Sequence, residues 1–254
     1  MTVLFVTGTD TGIGKTLVTT ALAAALVARG RRVGVVKPVE TGCRWEDDGL
    51  VPEDALTLAA AAHDPAPLES VCPYRLPDPL APALAAERAG VTIDVEGLAT
   101  HLRRRATTVD VLLVEGAGGL LVPLTRHESF ADLALRLGAQ VLVVVGSRLG
   151  AINHALLTFE ALARRSIALA GYVVNRLGPS NDLAVETNDE LLRSLTAVPC
   201  LGTLPWTPDA AELLAALRMG GGAADTARAR LARLGDALDL YPFWPRALRS
   251  APRP

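Results

Sequence analysis

Lysine is almost missing from this chain: of its 25 basic residues 23 are arginine, which leaves only Lys15 and Lys37. A chain that otherwise uses arginine keeps a compact ammonium where a point charge on a flexible stem is needed. The alternative is compositional drift with two chance survivors, and the positions of the two lysines, described below, argue against it. Aromatic residues are also scarce, 4% against a hydrophobic fraction of 50%. The interior must therefore be packed by Ala, Val and Leu, as where helices lie on a parallel sheet. Cys43, Cys72 and Cys200 are odd in number and far apart, which suggests neither a disulfide framework nor a metal cluster and fits a reducing cytoplasm. The formal net charge is only −2, so there is no electrostatic footprint for nucleic acid. Charges or glycines interrupt every apolar run before it could span a membrane. The start, Met1 to Thr7, has neither the basic segment nor the long apolar stretch of a signal peptide and reads as a first strand. What these absences leave is a soluble α/β protein whose 254 residues suit one large domain.

Short β-branched or Leu-rich runs alternate with longer Ala/Leu stretches, the pattern of crossover units on a mostly parallel sheet. Strands are predicted at Thr2 to Thr7, Arg32 to Val36, Val111 to Glu115, Val141 to Val145, Ala170 to Val174 and Cys200 to Leu204. Helices are predicted at Lys15 to Ala28, Glu53 to Ala62, Asp94 to Ala106, Phe130 to Leu137, Ile152 to Arg164, Ala184 to Leu195 and Asp225 to Leu238. Thr41 to Pro52 and Pro65 to Pro82 are rich in Pro and Asp and read as long loops over a binding site. Gly220 to Gly222 reads as a break before the last helix. The domain is expected to end near residue 240, followed by a loosely ordered proline-rich tail at 241–254.

Between the first strand and first helix runs Gly8-Thr9-Asp10-Thr11-Gly12-Ile13-Gly14-Lys15-Thr16. A strand, then a glycine loop, then a helix that opens with Lys-Thr form a phosphate cradle. Backbone N–H groups close on phosphate oxygens, the helix N-terminus adds partial positive charge, Lys15 neutralises the β and γ phosphates, and Thr16 offers a hydroxyl to Mg²⁺. The glycine spacing is irregular, because Thr9 stands where the commonest pattern has glycine. Lys37 follows the second strand at the carboxyl edge of the sheet, where ligands gather in such folds. A lysine there also reads as merely solvated, and its scarcity favours function. Glu115 closes an apolar strand and is placed to hold magnesium, or to cap the turn at Gly116-Ala117-Gly118-Gly119. Asp54 reads from its position alone as a first-turn helix acid.

Taken together, the loop, Lys37-Pro38-Val39-Glu40-Thr41-Gly42, Val114-Glu115-Gly116-Ala117-Gly118-Gly119 and Leu149-Gly150-Ala151-Ile152-Asn153-His154 resemble the dethiobiotin synthetase family, in order from residue 2 to about residue 206. The irregular glycine spacing is that family's own form. The resemblance implies a single-domain P-loop NTPase fold, α/β, with a mostly parallel sheet flanked by helices. It implies that ATP, Mg²⁺, CO₂ or bicarbonate and 7,8-diaminopelargonate are the ligands, in a cytoplasmic homodimer with the substrate site at the subunit interface. Lys37 and Lys15 would be catalytic. Gly12, Ile13, Gly14, Lys15, Thr16 and Leu17 would hold the nucleotide, with Gly116, Ala117, Gly118 and Arg176. Asn175 and Pro205 would contact adenine, although each also reads as an ordinary strand-end or loop residue. Thr16, Asp54 and Glu115 would surround magnesium, which replaces the first reading of Asp54. Thr41 would touch the substrate, and Gly150, Ala151 and Asn153 of the neighbouring subunit would receive its carboxylate tail. That segment alone reads equally as a plain helix start. Pro79-Leu80-Ala81-Pro82 is expected near the substrate. Past Trp206 the resemblance fades. The rival is a nucleotide-dependent dimerisation switch of the ParA/MinD type, but such proteins carry a second lysine early in the loop, where this chain has Asp10. A membrane anchor at Tyr241 to Arg249 is broken by its prolines.

Overall fold

The first strand, β1 (Thr2–Gly8), is apolar on both faces because both are covered. Leu4 and Val6 point into one layer, and Phe5 into the other. The same alternation recurs in the strands Val111–Gly119 and Gln140–Ser147, so the core strands are built for a sheet buried between helices. The computed structural model describes residues 2–179 and 183–239. The tail predicted at 241–254 and the domain end near 240 lie outside the described residues.

In chain order the elements begin with α1 (Lys15–Ala28), β2 (Val33–Val36), β3 (Val39–Thr41), β4 (Arg44–Glu46), β5 (Gly49–Val51) and α2 (Glu53–Ala62). Next come α3 (Leu68–Val71), β6 (Tyr74–Leu76), α4 (Pro82–Ala89), α5 (Val95–Ala106) and β7 (Val111–Gly119). The chain continues through α6 (Phe130–Leu137), β8 (Gln140–Ser147), α7 (Ala151–Arg164), β9 (Leu169–Arg176) and α8 (Leu183–Leu195). It finishes with β10 (Cys200–Leu204), α9 (Ala210–Met219) and α10 (Gly221–Gly235). The principal sheet has six strands in the order β10-β9-β8-β1-β7-β2, all pairs parallel. The chain leaves β1 for the β2 edge, returns through β7, and then builds β8 to β10 on the other side of β1. Ligands collect at such a reversal, beyond the carboxyl ends of the strands.

Helices α1, α2, α9 and α10 cover one face, and α4 to α8 the other. Close approach of α10 to α1 depends on Gly235, where a Cβ would sit 2.3 Å from the Ala21 carbonyl oxygen. On the edge strand β2 the Val35 N–H is taken by the Asp64 carboxylate at 2.8 Å, and Arg105 pairs with the same acid, so this edge donates to its own chain.

The two stretches read as loops are more ordered than the sequence suggested. Residues 41–52 contain the antiparallel hairpin β4–β5, and residues 65–82 contain α3, β6 and the start of α4, with β6 parallel to β3. Elements of three or four residues are too short to leave a periodic signature. Helix α9 was not foreseen. The last helix begins at Gly221 and ends at Gly235 rather than spanning Asp225 to Leu238. Gly220 and Gly221, with φ of 73° and 65°, make the tight turn from α9, so the glycine break falls at the start of the helix.

Candidate functional site

The loop after β1 enters α1 through Gly14, which caps the helix at φ 82°, and so turns the first N–H groups of α1 toward a cavity of about 990 Å³. The cavity gathers Gly12, Gly14, Lys15, Thr16, Leu17, Lys37, Thr41, Asp54, Ala117, Gly118, Asn175 and Arg176 from five segments of chain. Pro79 to Pro82 form part of the same wall. Ile13 is anchored in the core, 1% exposed, and Glu115, Gly116 and Pro205 do not line the cavity. Glu115 lies beneath it, at the end of its apolar strand segment, with no exposure at all.

Lys37 follows β2 directly and is 3% exposed. Its Nζ donates to Asp54 Oδ2 and to Glu115 Oε1, both at 2.7 Å. Burial alone would lower the pKa of this lysine. The charges of Glu115, Asp54 and Glu40 outweigh it and hold the ammonium well above the ordinary lysine value. Asp54, in the first turn of α2, has its pKa pulled below the usual range: partial burial opposes this, but the charge and hydrogen bond of Lys37 prevail. The first-turn reading of Asp54 and the ligand reading are both compatible with its place. Lys15 is in the opposite condition. Burial and the nearby Lys37 bring its pKa down to about 8, and its Nζ rests on the Asp10 carbonyl at 3.1 Å. An ammonium held at such cost in solvation is poised for anions.

The Thr16 hydroxyl donates to Glu115 Oε1 at 3.0 Å, while Glu115 Oε2 is buried with no hydrogen-bond partner. A hydroxyl, an unsatisfied carboxylate oxygen and Asp54 are hard oxygen donors of the kind magnesium takes together with phosphate. No group of three His, Cys, Asp or Glu among the described residues could hold a metal by itself.

Asn175, at the end of β9, ties two parts of the site together. Its Nδ2 donates to the Ile13 carbonyl at 2.8 Å, and its buried Oδ1 has no partner. An amide oxygen in that condition suits an amino group, such as that of adenine. Beyond it the wall consists of Leu177, Trp206, Thr207, Ala210, Ala211 and Leu214. The sequence reading missed this apolar side because it depends on α9 packing against α2 and α10. It also gave no role to Glu40, which lines the cavity and whose pKa burial pushes up to about 7. The one available signal was an acid between the β-branched residues Val39 and Thr41.

Gly150, Ala151 and Asn153 do not reach this cavity. They stand at the entrance to α7, with Asn153 exposed, next to a second hollow of about 470 Å³ lined by Asp10, Thr11, Leu121, Val122, His154 and Leu157 among others. Leu121 and Leu157 on its wall are 51% and 55% exposed, and Leu149, just before α7, is 86% exposed. At residue 10, Asp10 forms an ion pair with Arg148 and accepts the Thr11 N–H at 2.7 Å.

The family described as an AAA domain matches residues 2–212. Curated proteins named ATP-dependent dethiobiotin synthetase BioD are similar over most of the chain. The one from Xanthomonas euvesicatoria pv. vesicatoria is 46% identical over 206 residues, 81% of this chain and 92% of that protein. The one from Thermodesulfovibrio yellowstonii is 40% identical over 210 residues, 80% of this chain and 88% of its own. Among solved structures, MinD from Pyrococcus horikoshii with Mg-ADP is similar at a TM-score of 0.56 and 19% identity, covering 91% of this chain and 94% of that one. A ParA family ATPase from Chlorobium tepidum gives 0.57 at 12% identity, covering 95% and 98%. At such identities these two structures carry the fold alone.

Proposed function

The chain belongs to the family of ATP-dependent dethiobiotin synthetases, and from that membership we propose that its cavity joins CO₂ to 7,8-diaminopelargonate with MgATP as phosphoryl donor, giving dethiobiotin, ADP and phosphate. One substrate amine adds to CO₂ and loses a proton, leaving a carbamate. A carbamate oxygen attacks the γ-phosphorus and ADP departs. The second amine then attacks the carbamate carbon, phosphate leaves, and the ureido ring closes.

The protein needs no nucleophile for this sequence. Its difficulty is that two anions must meet, which calls for fixed positive charge and alignment. The observation that carries the reading is Lys37, an ammonium buried between Asp54 and Glu115 in the same cavity as the phosphate loop of Lys15. Lys37 would stabilise the charge shared by carbamate oxygen and γ-phosphate, and Lys15 the β and γ phosphates. Thr16, Asp54 and Glu115 would hold magnesium, which when bound supplies charge neutralisation at the phosphates. The partnerless Asn175 Oδ1 supports an adenine contact, with Arg176 and the Trp206 side of the cavity around it, and Thr41 with Pro79 to Pro82 stands on the substrate side.

The test is ADP release by the pure protein with MgATP, diaminopelargonate and bicarbonate, each organic or carbon substrate omitted in turn. Release that depends on both is expected. Turnover indifferent to both would reject the reaction.

The exposed leucines around the second hollow support a homodimer in which Gly150, Ala151 and Asn153 serve the partner's site through their helix N-terminus. Mixing an inactive Lys37→Gln protein with an inactive Asn153→Ala protein is then expected to restore about a quarter of wild-type activity. Random exchange makes about half of the dimers mixed and leaves each with one intact site. No recovery after demonstrated subunit exchange would exclude a shared site. Among the described residues no helix is long and apolar enough to cross a membrane. Three free cysteines suit a reducing cytoplasm, where ATP is at hand.

A further inference from the structure

Helix α2 begins without a cap of its own. Its N-cap position is Pro52, which offers no side-chain acceptor, yet the first-turn N–H groups of a buried helix end need partners. They find one in strand β3. Glu40 Oε1 accepts the Asp54 N–H at 2.9 Å, and Oε2 accepts the Ala55 N–H at 3.0 Å. A carboxylate 8% exposed is thus spent with both oxygens on two consecutive backbone amides, where its charge also faces the positive end of the helix.

One of those amides belongs to Asp54, and that gives the cap a consequence beyond stability. The segment Lys37 to Glu40 grips Asp54 twice: Lys37 holds the carboxylate at 2.7 Å, and Glu40 holds the backbone at 2.9 Å. The position of the Asp54 carboxylate relative to Thr16 and Glu115 is therefore set by where Glu40 pins the helix start. Asp54 itself has 41% of its side chain exposed, so packing does little to fix it.

We propose that Glu40 is a positioning residue: by capping α2 from β3 it holds Asp54 in register with Lys37, Thr16 and Glu115 for the divalent cation that accompanies the nucleotide. This rests on the reading of Asp54 as a magnesium ligand. Glutamine at position 40 keeps the size but turns an amino group toward one of the two N–H donors. Aspartate keeps the charge but is one methylene too short to hold both.

The experiment compares Glu40→Gln, Glu40→Asp and a remote control, Asp94→Ala, which removes the side-chain cap of α5 at Gly97 N. In the ligand-free proteins, hydrogen exchange at the Asp54 and Ala55 amides is expected to quicken about tenfold in Glu40→Gln and to stay at the wild-type rate in the control. With ADP present, the Kd for Mn²⁺ read by electron paramagnetic resonance is expected to rise about tenfold in Glu40→Gln, as for other residues that orient metal ligands, and by less in Glu40→Asp. The Mg²⁺ concentration for half-maximal turnover should rise in step, with kcat at saturating Mg²⁺ changing far less. Faster exchange with unchanged Mn²⁺ affinity would make Glu40 a helix cap only and overturn the proposal, as would wild-type behaviour of Glu40→Asp or an equal loss of Mn²⁺ affinity in Asp94→Ala. Exchange and Mn²⁺ binding require no diaminopelargonate, so failure of the synthetase reaction would leave these two readings standing.

Discussion

Replacing Lys37 by glutamine is expected to lower kcat about a thousandfold, the scale seen when a single preorganised group facing developing charge is removed. Lys37 is one of two lysines in the chain and is 3% exposed. No other ammonium touches both Asp54 and Glu115 among the described residues. Glutamine can still donate a hydrogen bond but brings no charge to the meeting of carbamate and γ-phosphate. The loss should therefore fall on kcat, with ATP affinity nearly kept because Lys15 and the loop amides remain. Breaking a buried pair costs about 3 kcal/mol. A domain of this kind has about 10 kcal/mol in hand, so circular dichroism should show a folded protein with a lowered Tm. Steady-state and single-turnover rates would decide, and a near-normal kcat would remove Lys37 from the chemistry.

A second large effect is expected at Gly14, this time on binding. At φ 82° an alanine pays about 1–2 kcal/mol of backbone strain. Its Cβ would also lie 2.2 Å from Asn175 Nδ2. Asn175 can escape only by breaking its bond to the Ile13 carbonyl, a further loss of about 1 kcal/mol, and by leaving the loop without its tether. Together these predict Gly14→Ala to weaken Mg-nucleotide binding about a hundredfold by calorimetry. Gly12→Ala supplies the comparison. Its φ of 71° carries similar strain, but a Cβ there meets nothing within 4 Å, so it should lose no more than about tenfold. Equal losses in the two variants would mean that the Asn175 tether contributes nothing to the cradle.

Much of the site was legible because its motifs are local. Gly8 to Thr16 is contiguous, and its chemistry follows from a strand, glycines, a lysine and a threonine in fixed order. The helices starting at Lys15, Glu53 and Phe130 were found with both ends right, since apolar spacing over two or more turns leaves a clear signal. Of the six predicted strands β10 was right at both ends and β2 began one residue early, while the others were cut short: β7 runs on through Gly119, four residues past Glu115, because its glycines carry no β signature although their backbone continues the ladder. Asp54 shows the limit most plainly. By propensity it is a first-turn acid, and the structure keeps it there while also giving it Lys37 as a partner.

The sequence alone determined the phosphate loop, the alternation of strands and helices, the scarcity that marks Lys15 and Lys37, and the family. Each of these is carried by neighbours along the chain or by composition. Only the tertiary structure decided the strand order, which carboxylates meet Lys37, how Asn175 holds the loop, and that Glu40 caps the helix bearing Asp54. Thr16 and Glu115 are 99 residues apart, and Ile13 and Asn175 are 162 apart. Such pairs bond only after the sheet has brought the ends of β1, β7 and β9 to one edge. Their energies depend on burial and distance, which no local pattern of residues encodes.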